Sequence, residues 1–242
     1  FFNASQSVWL GTSGTNFHLA ANWLSGVVPD ATTRILVESA NPMAITGAVT
    51  VLDLTVGGGA GAAYVTAYAP LTVIEDITVL TNGALCLNRP CIVGNGFNLL
   101  PGGMLTHLAN TSTDVNKLDL TVYGNVSVDL NAVVDVTGKG YSAGNGPGGG
   151  TGGGASYGGV GSLDSGTGFG PCYGSITAPT NLGSGGRAGQ TTAGGGAILM
   201  RVTGEVRIDG NLVAEGEYIA GQNRPGSGGT IFITAGSLRG VG

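Results

Sequence analysis

The residues able to do chemistry are few and scattered. There are two histidines, His18 and His107, and neither has a partner at HExxH or metal-ligand spacing. His18, between Phe17 and Leu19, reads as a structural residue near the N-terminus. His107, in GGMLTHLAN, reads as a strand or turn residue. No G-x-S-x-G elbow precedes a helix, and no Cys–His pair carries a signature. Asp119, Asp129, Asp135 and Asp209 fall on outward positions of alternating segments. Acids paired a few ångströms apart on such a face would hydrolyse a glycosidic bond or hold Ca²⁺. These acids do not cluster in sequence, and no Asp/Asn-x-Asp loop is present. A solvated outer face is therefore expected, with Arg201, Arg207 and Arg239 also at the surface. The expectation is a protein without metal, cofactor or enzymatic activity.

The tract GNGPGGGTGGGASYGGVG, residues 144–161, matches G-x-G-x-x-G several times. In a chain with 48 glycines among 242 residues such matches arise by chance. A dinucleotide site needs a strand before and a helix after the glycines, and a P-loop needs Gly-Lys-Ser/Thr. Lys139 sits in TGKGYS with Gly140 next, and no helical pattern follows.

The elements that must position these residues are strands. Glycine far exceeds its usual share, charged residues are only 10% and apolar residues reach 42%. This is neither a disordered nor a collagen-like composition. Alternation of apolar and polar residues marks strands within 33–39, 48–56, 70–80, 116–124, 125–138, 196–204, 205–216 and 229–240. Leu118, Leu120 and Val122 share one face, with Asp119 and Thr121 on the other. No convincing amphipathic helix appears; the best short candidate is 17–24.

Two internal matches organise the pattern. GGGAILMRVTGEVRIDG (194–210) resembles SGGTIFITAGSLRGVG (227–242) at an offset of about 33 residues, within the solenoid range. VSVDLNAVVDVTG (126–138) and VRIDGNLVAEG (206–216) share V-x-(V/I)-D-x-N. Strand-turn units without intervening helices favour an all-β parallel β-helix, with an antiparallel β-sandwich as the alternative. The division is an N-terminal cap segment, 1–32, and a β-helix, 33–242, carrying a glycine-rich loop region at 139–195. Trp9 and Trp23 are expected to plug the N-terminal end of the stack; a sugar-stacking platform is the alternative.

The opening SVWLGTSGTNFHLAANWLSGVVPDATTRILVES carries Trp9, Asn22-Trp23, Gly26 and Pro29-Asp30 before a β-rich segment. It resembles the start of bacterial secreted β-strand-repeat proteins of the autotransporter-like and PEP-CTERM types. The second half resembles the glycine-rich repeat regions of large extracellular bacterial proteins. The resemblance covers most of the chain except roughly 49–118. It implies a right-handed β-helix, export to the cell surface, and a role in adhesion or surface architecture. Phage tail fibres and polysaccharide lyases use similar β-helices, so a virion fibre and a polysaccharide-binding or polysaccharide-degrading protein stand as alternatives.

The remaining expectations concern contacts. With a net charge of −5 and two lysines, Lys117 and Lys139, phosphate-based nucleic-acid binding is not expected, nor is membrane insertion. The chain starts without Met, as if a leader were removed or the start missing. Cys86 and Cys91, in LCLNRPCIV, are close enough to form a disulfide; buried free thiols are the other reading, and Cys172 is left over. Sequons at Asn3, Asn110 and Asn125 are candidate glycosylation sites for a secreted protein. Tyr141, Tyr157 and Tyr173 punctuate the glycine region and are expected to pack over glycine backbone, making it the candidate contact surface. An open β-helix end invites self-association or continuation into a longer solenoid, and contact with glycans or a cell surface completes the expected partners.

Overall fold

A computed structural model describes residues 5–149, 152–162, 168, 170–220 and 224–242. Apolar residues two apart turn one side of each short segment inward, and the chain resolves the pattern as a three-sided coil. After β1 (Ser5–Val8), coil 1 holds β2 (Thr33–Val37), β3 (Met43–Ile45) and β4 (Val49–Val51). Coil 2 holds β5 (Asp53–Val56), β6 (Ala63–Ala67) and β7 (Leu71–Val73). Coil 3 holds β8 (Ile77–Val79), β9 (Gly83–Leu87) and β10 (Cys91–Val93). Coil 4 holds β11 (Phe97–Leu99), β12 (Met104–Thr106) and β13 (Leu118–Val122). Coil 5 holds β14 (Val126–Val128), β15 (Val133–Asp135) and β16 (Ala197–Val202). Coil 6 holds β17 (Glu205–Ile208), β18 (Asn211–Val213) and β19 (Thr230–Thr234), and β20 (Ser237–Gly240) opens the next turn.

Every strand pairs in parallel with its counterpart on the adjacent coil. The sheets run β1-β2-β5-β8-β11-β14-β17-β20, β3-β6-β9-β12-β15-β18 and β4-β7-β10-β13-β16-β19. This is a parallel β-helix, and the antiparallel sandwich is excluded. Both sequence repeats mark neighbouring coils. Ala197 pairs with Thr230, and Val126 pairs with Val206 across the glycine-rich insertion.

The core is a set of columns. Ile35, Leu54, Ile77, Phe97, Val126 and Val206 stack on one side, and all are buried. Each such side chain contributes about 1.5–3 kcal/mol. The first end of the stack is closed by Trp9, Phe17 and Trp23, which are 1–2% exposed. Trp23 meets both Trp9 and Phe17 edge-to-face at 5.1 Å. The indole N–H of Trp9 donates to Asn41 O at 2.9 Å and that of Trp23 to Phe17 O at 2.7 Å. The plug forms as expected, and burial removes both rings from any sugar-stacking role. At the other end Ile231 and Leu238, which continue core columns, are 45% and 64% exposed.

Corners are tied by amides and acids. Asn88, buried, donates to Ala67 O of coil 2 and accepts from Leu108 N of coil 4. Asp76 Oδ1 accepts from Gly96 N at 2.7 Å, and Asn125 Oδ1 from Glu205 N at 2.8 Å. Such bonds fix one coil on the next where no strand ladder is available.

Candidate functional site

The coils are not equally elaborated at the corner between the second and third sheets. On coils 2 and 3 this corner is three residues, Tyr68–Pro70 and Asn88–Pro90. On coil 4 it spans 107–117, on coil 5 it spans 136–196, and on coil 6 it spans 214–229. The long corners lie on neighbouring coils and hydrogen-bond to one another, forming a lobe on one flank of the rod. The coil-5 corner begins three residues earlier and ends one later than the loop read from sequence at 139–195, and the corners 107–117 and 214–229 join it in the lobe.

The described part of the lobe holds no strand or helix, yet its backbone is densely paired. Two limbs meet at its root: Gly196 N donates to Val136 O at 2.8 Å, Gly140 N to Gly194 O at 2.7 Å and Gly194 N to Tyr141 O at 2.9 Å. Above them Gly138 N donates to Glu215 O and Gly195 N to Ser227 O; below, Ser142 N donates to Thr111 O. The segment 182–186 is wholly buried and touches limbs on several sides through Gly183 N to Gly195 O, Gly185 N to Asn145 O and Ser227 N to Ser184 O. A Cβ on Gly194 would lie 2.1 Å from Gly183 O, closer than any real Cβ contact. Glycine is required there so that backbones can touch. The described part of the glycine tract is thus held by backbone packing.

The tyrosines pack over this backbone. The rings of Tyr157 and Tyr173 are 4.8 Å apart. Tyr173 donates to Leu182 O at 2.5 Å and accepts from Ser184 Oγ at 2.8 Å, while the Tyr157 hydroxyl lies 2.6 Å from Thr230 Oγ1. Burial pushes the Tyr173 phenol up to about 12 and raises that of Tyr141. With two hydroxyls engaged internally, the ring faces are what the pair offers. They line a cleft of about 410 Å³ with Cys172, Ile176 and Pro179, where Ile176 is 97% exposed. Among the described residues its lining supplies aromatic and aliphatic contact, a thiol and a hydroxyl, with no carboxylate, imidazole or amine. The structure brings Tyr157 and Tyr173 together and leaves Tyr141 at the root, where its ring would meet a Cβ on Gly146 at 2.7 Å.

The outward acids are held by arginines. Arg201 meets Asp119 at 2.5 Å, Arg239 meets Glu205 at 2.6 Å, and Arg34 spans Asp53 at 2.8 Å and Glu75 at 2.6 Å. Arg207 bonds Asp129 on the preceding coil and reaches Asp209 at 3.4 Å. Asp135 Oδ1 accepts from Thr137 N at 2.8 Å. The simple surface reading of Arg201, Arg207 and Arg239 is therefore incomplete, since each joins coils. No group of three or more His, Cys, Asp or Glu side chains suited to a metal occurs among the described residues.

The remaining sequence candidates are corrected or placed. Cys86 and Cys91 are free thiols rather than a bridge. Cys86 stands in the outward register of β9 beside Thr66 and Thr106, whereas Cys91 stacks in a core column between Leu71 and Leu120. The sheet corner separates them. Burial pushes the Cys91 thiol up to about 12 and raises Cys86. Asn110 is 4% exposed, with Nδ2 donating to Asn116 O and Lys139 O and Oδ1 accepting from Val115 N and Asn116 N. A glycan there would break this turn. Asn125 is exposed with its Oδ1 engaged by Glu205 N, and Asn3 lies outside the described residues. No helix among the described residues is long and apolar enough to cross a membrane.

Sequence reasoning missed His107, which is fully buried. Its Nδ1 lies 2.8 Å from Leu108 O and its Nε2 3.1 Å from Ala197 N. Only a buried position next to a strand would have pointed to it. Comparison with known protein families, curated proteins and solved structures gives no match.

Proposed function

We propose that this protein is an extracellular structural element: a stiff, non-catalytic β-helical rod that presents the glycine lobe as its contact surface. The observation that carries this reading is the unbroken core column from Ile35 to Val206, which continues to an exposed Leu238. A closed first end and an apolar second end suit stacking on further β structure, either another copy or more coils of a longer solenoid. The inter-coil ion pairs support the same reading, because acids clamped by guanidinium groups are poorly placed for general acid–base work. The apolar Tyr157–Tyr173 cleft suits contact with an uncharged surface such as a neutral glycan face.

The reading is tested by incubating the protein with acidic and neutral polysaccharides while measuring both retention and new chain ends. Retention without turnover is expected. Turnover that is lost in Asp129→Asn or Asp209→Asn would replace the scaffold with an enzyme.

A further inference from the structure

We infer that His107 is an acid-sensitive latch that holds the returning limb of the glycine lobe to the rod. The inference concerns regulation of the lobe taken above as the contact surface, but the latch is tested without reference to any binding.

The geometry requires a neutral ring. The partner of Nδ1 is the Leu108 carbonyl, which can only accept, so Nδ1 carries the proton. The partner of Nε2 is the Ala197 amide, which can only donate, so Nε2 keeps its lone pair. A proton added at Nε2 would set two donors face to face at 3.1 Å. The ring has no room to turn away. A Cβ on Gly196 would stand 2.3 Å from Nε2, so the returning limb passes directly against the imidazole, which is fully buried.

Two of the three charged groups around it disfavour the imidazolium. Burial is the largest influence and, with Lys139 on the departing limb and Lys117 before β13, holds the imidazole down to about 4; the bond to Leu108 O and the Asp114 carboxylate oppose them. Asp114 is itself paired with Lys117 at 2.7 Å. The returning limb contributes only Gly196 and Ala197 at this contact, neither of them titratable. A second side-chain bond at the root uses a carboxylate: Glu217 Oε2 accepts from Ala193 N at 2.9 Å.

The latched bond is strategically placed. Ala197 is the first residue of β16, and with Gly196 N to Val136 O it makes the first tie of the limb that leads out to 183–195. Beyond it the buried residues are mostly glycine, serine and alanine, so the lobe buries little large apolar side chain and opens as a unit more easily than the coils do. Imidazolium at 107 therefore frees the limb while leaving the columns of coils 1–4 intact.

Amide exchange of the full chain, corrected for intrinsic rates, is measured at pH 6 and pH 3.5 in the wild type and in His107→Gln and Glu217→Gln. Protection of 183–197 is expected to fall roughly 100-fold in the wild type, with strands at 71–99 remaining the more protected at both pH values. That fall should shrink in His107→Gln and persist in Glu217→Gln. The His107 imidazole titration, followed by NMR beside exposed His18, serves if His107→Gln does not fold: its midpoint should coincide with loss of lobe protection. A lobe that stays protected through the titration, a lobe that opens only with the core, or a fall abolished by Glu217→Gln alone would overturn the latch.

Discussion

The Arg207 guanidinium binds Asp129 on the preceding coil and reaches Asp209 on its own, joining the two copies of the V-x-(V/I)-D-x-N pattern. Its side chain is 36% exposed, so screening by water limits the value of the pair. Arg207→Ala should lower stability by about 1 kcal/mol, more at low salt than at 0.5 M. Chemical denaturation at two salt concentrations measures this; an effect independent of salt would show that the arginine acts through packing alone.

Backbone contact in the lobe makes a sharp contrast between glycines. Gly194→Ala places a methyl 2.1 Å from Gly183 O, whereas a methyl on Gly158 meets nothing within 4 Å. The first substitution should cost about 3 kcal/mol or release the lobe to proteolysis between 140 and 195. The second should stay within about 0.5 kcal/mol. Equal behaviour of the two variants would mean that the lobe is not held by its backbone.

The aromatic plug should be a large single contributor. Trp23→Ala removes a ring that contacts Trp9 and Phe17 and leaves a cavity at the closed end. A loss of about 3–5 kcal/mol is expected in thermal or chemical unfolding. A loss under 1 kcal/mol would show that the stack does not need this closure.

Thiol reactivity should follow position. Cys172 is exposed, while Cys86 and Cys91 are buried with raised thiol values. A thiol reagent at pH 8 should label Cys172 quickly in the native protein and all three cysteines only after denaturation. Rapid native labelling at Cys91 would contradict its place in the core column.

His107 also gives the molecule an acid limit. Burial holds its imidazole down to about 4, below the usual value near 6.5. Between those values the unfolded chain binds a proton that the folded chain refuses. The stability from neutral His107 is whole above pH 6.5 and is lost as pH falls toward 4, by about 3 kcal/mol in all. His107→Gln should flatten that part of the stability profile measured by denaturant titration. An unchanged profile would place the acid sensitivity in the carboxylates.

The sequence was most legible where a coil repeats its neighbour. The likeness of 194–210 to 227–242 and the shared V-x-(V/I)-D-x-N matched real register, Ala197 on Thr230 and Val126 on Val206. It was least legible at β1, β3, β6 and the whole run from β9 to β12, none of which falls in a segment read as strand. Met104-Leu105-Thr106 turns one residue inward, too few to show a period of two. Gly83-Ala84-Leu85-Cys86-Leu87 is masked by its small outward residues. Trp9 and Trp23 were read correctly as a plug because two large rings near one end have little else to do in a solenoid. The candidate site was legible as an ordered glycine tract with packed tyrosines. Its architecture was hidden because the partners are backbone groups, which leave no residue-type signature. The role of His107 was hidden for the same reason: its partner is a main-chain amide 90 residues away.

Electron microscopy of the purified chain across a wide concentration range tests the central claim most directly. A single stack, with eight strands in its longest sheet, is about 35–40 Å long at 4.8 Å per coil. The account predicts narrow rods of one unit that give way to rods of two units as concentration rises and stacks join at the apolar end, with the lobe as a side projection on each. Isolated particles of one unit at every concentration, still single when Leu238 is left intact, would contradict it.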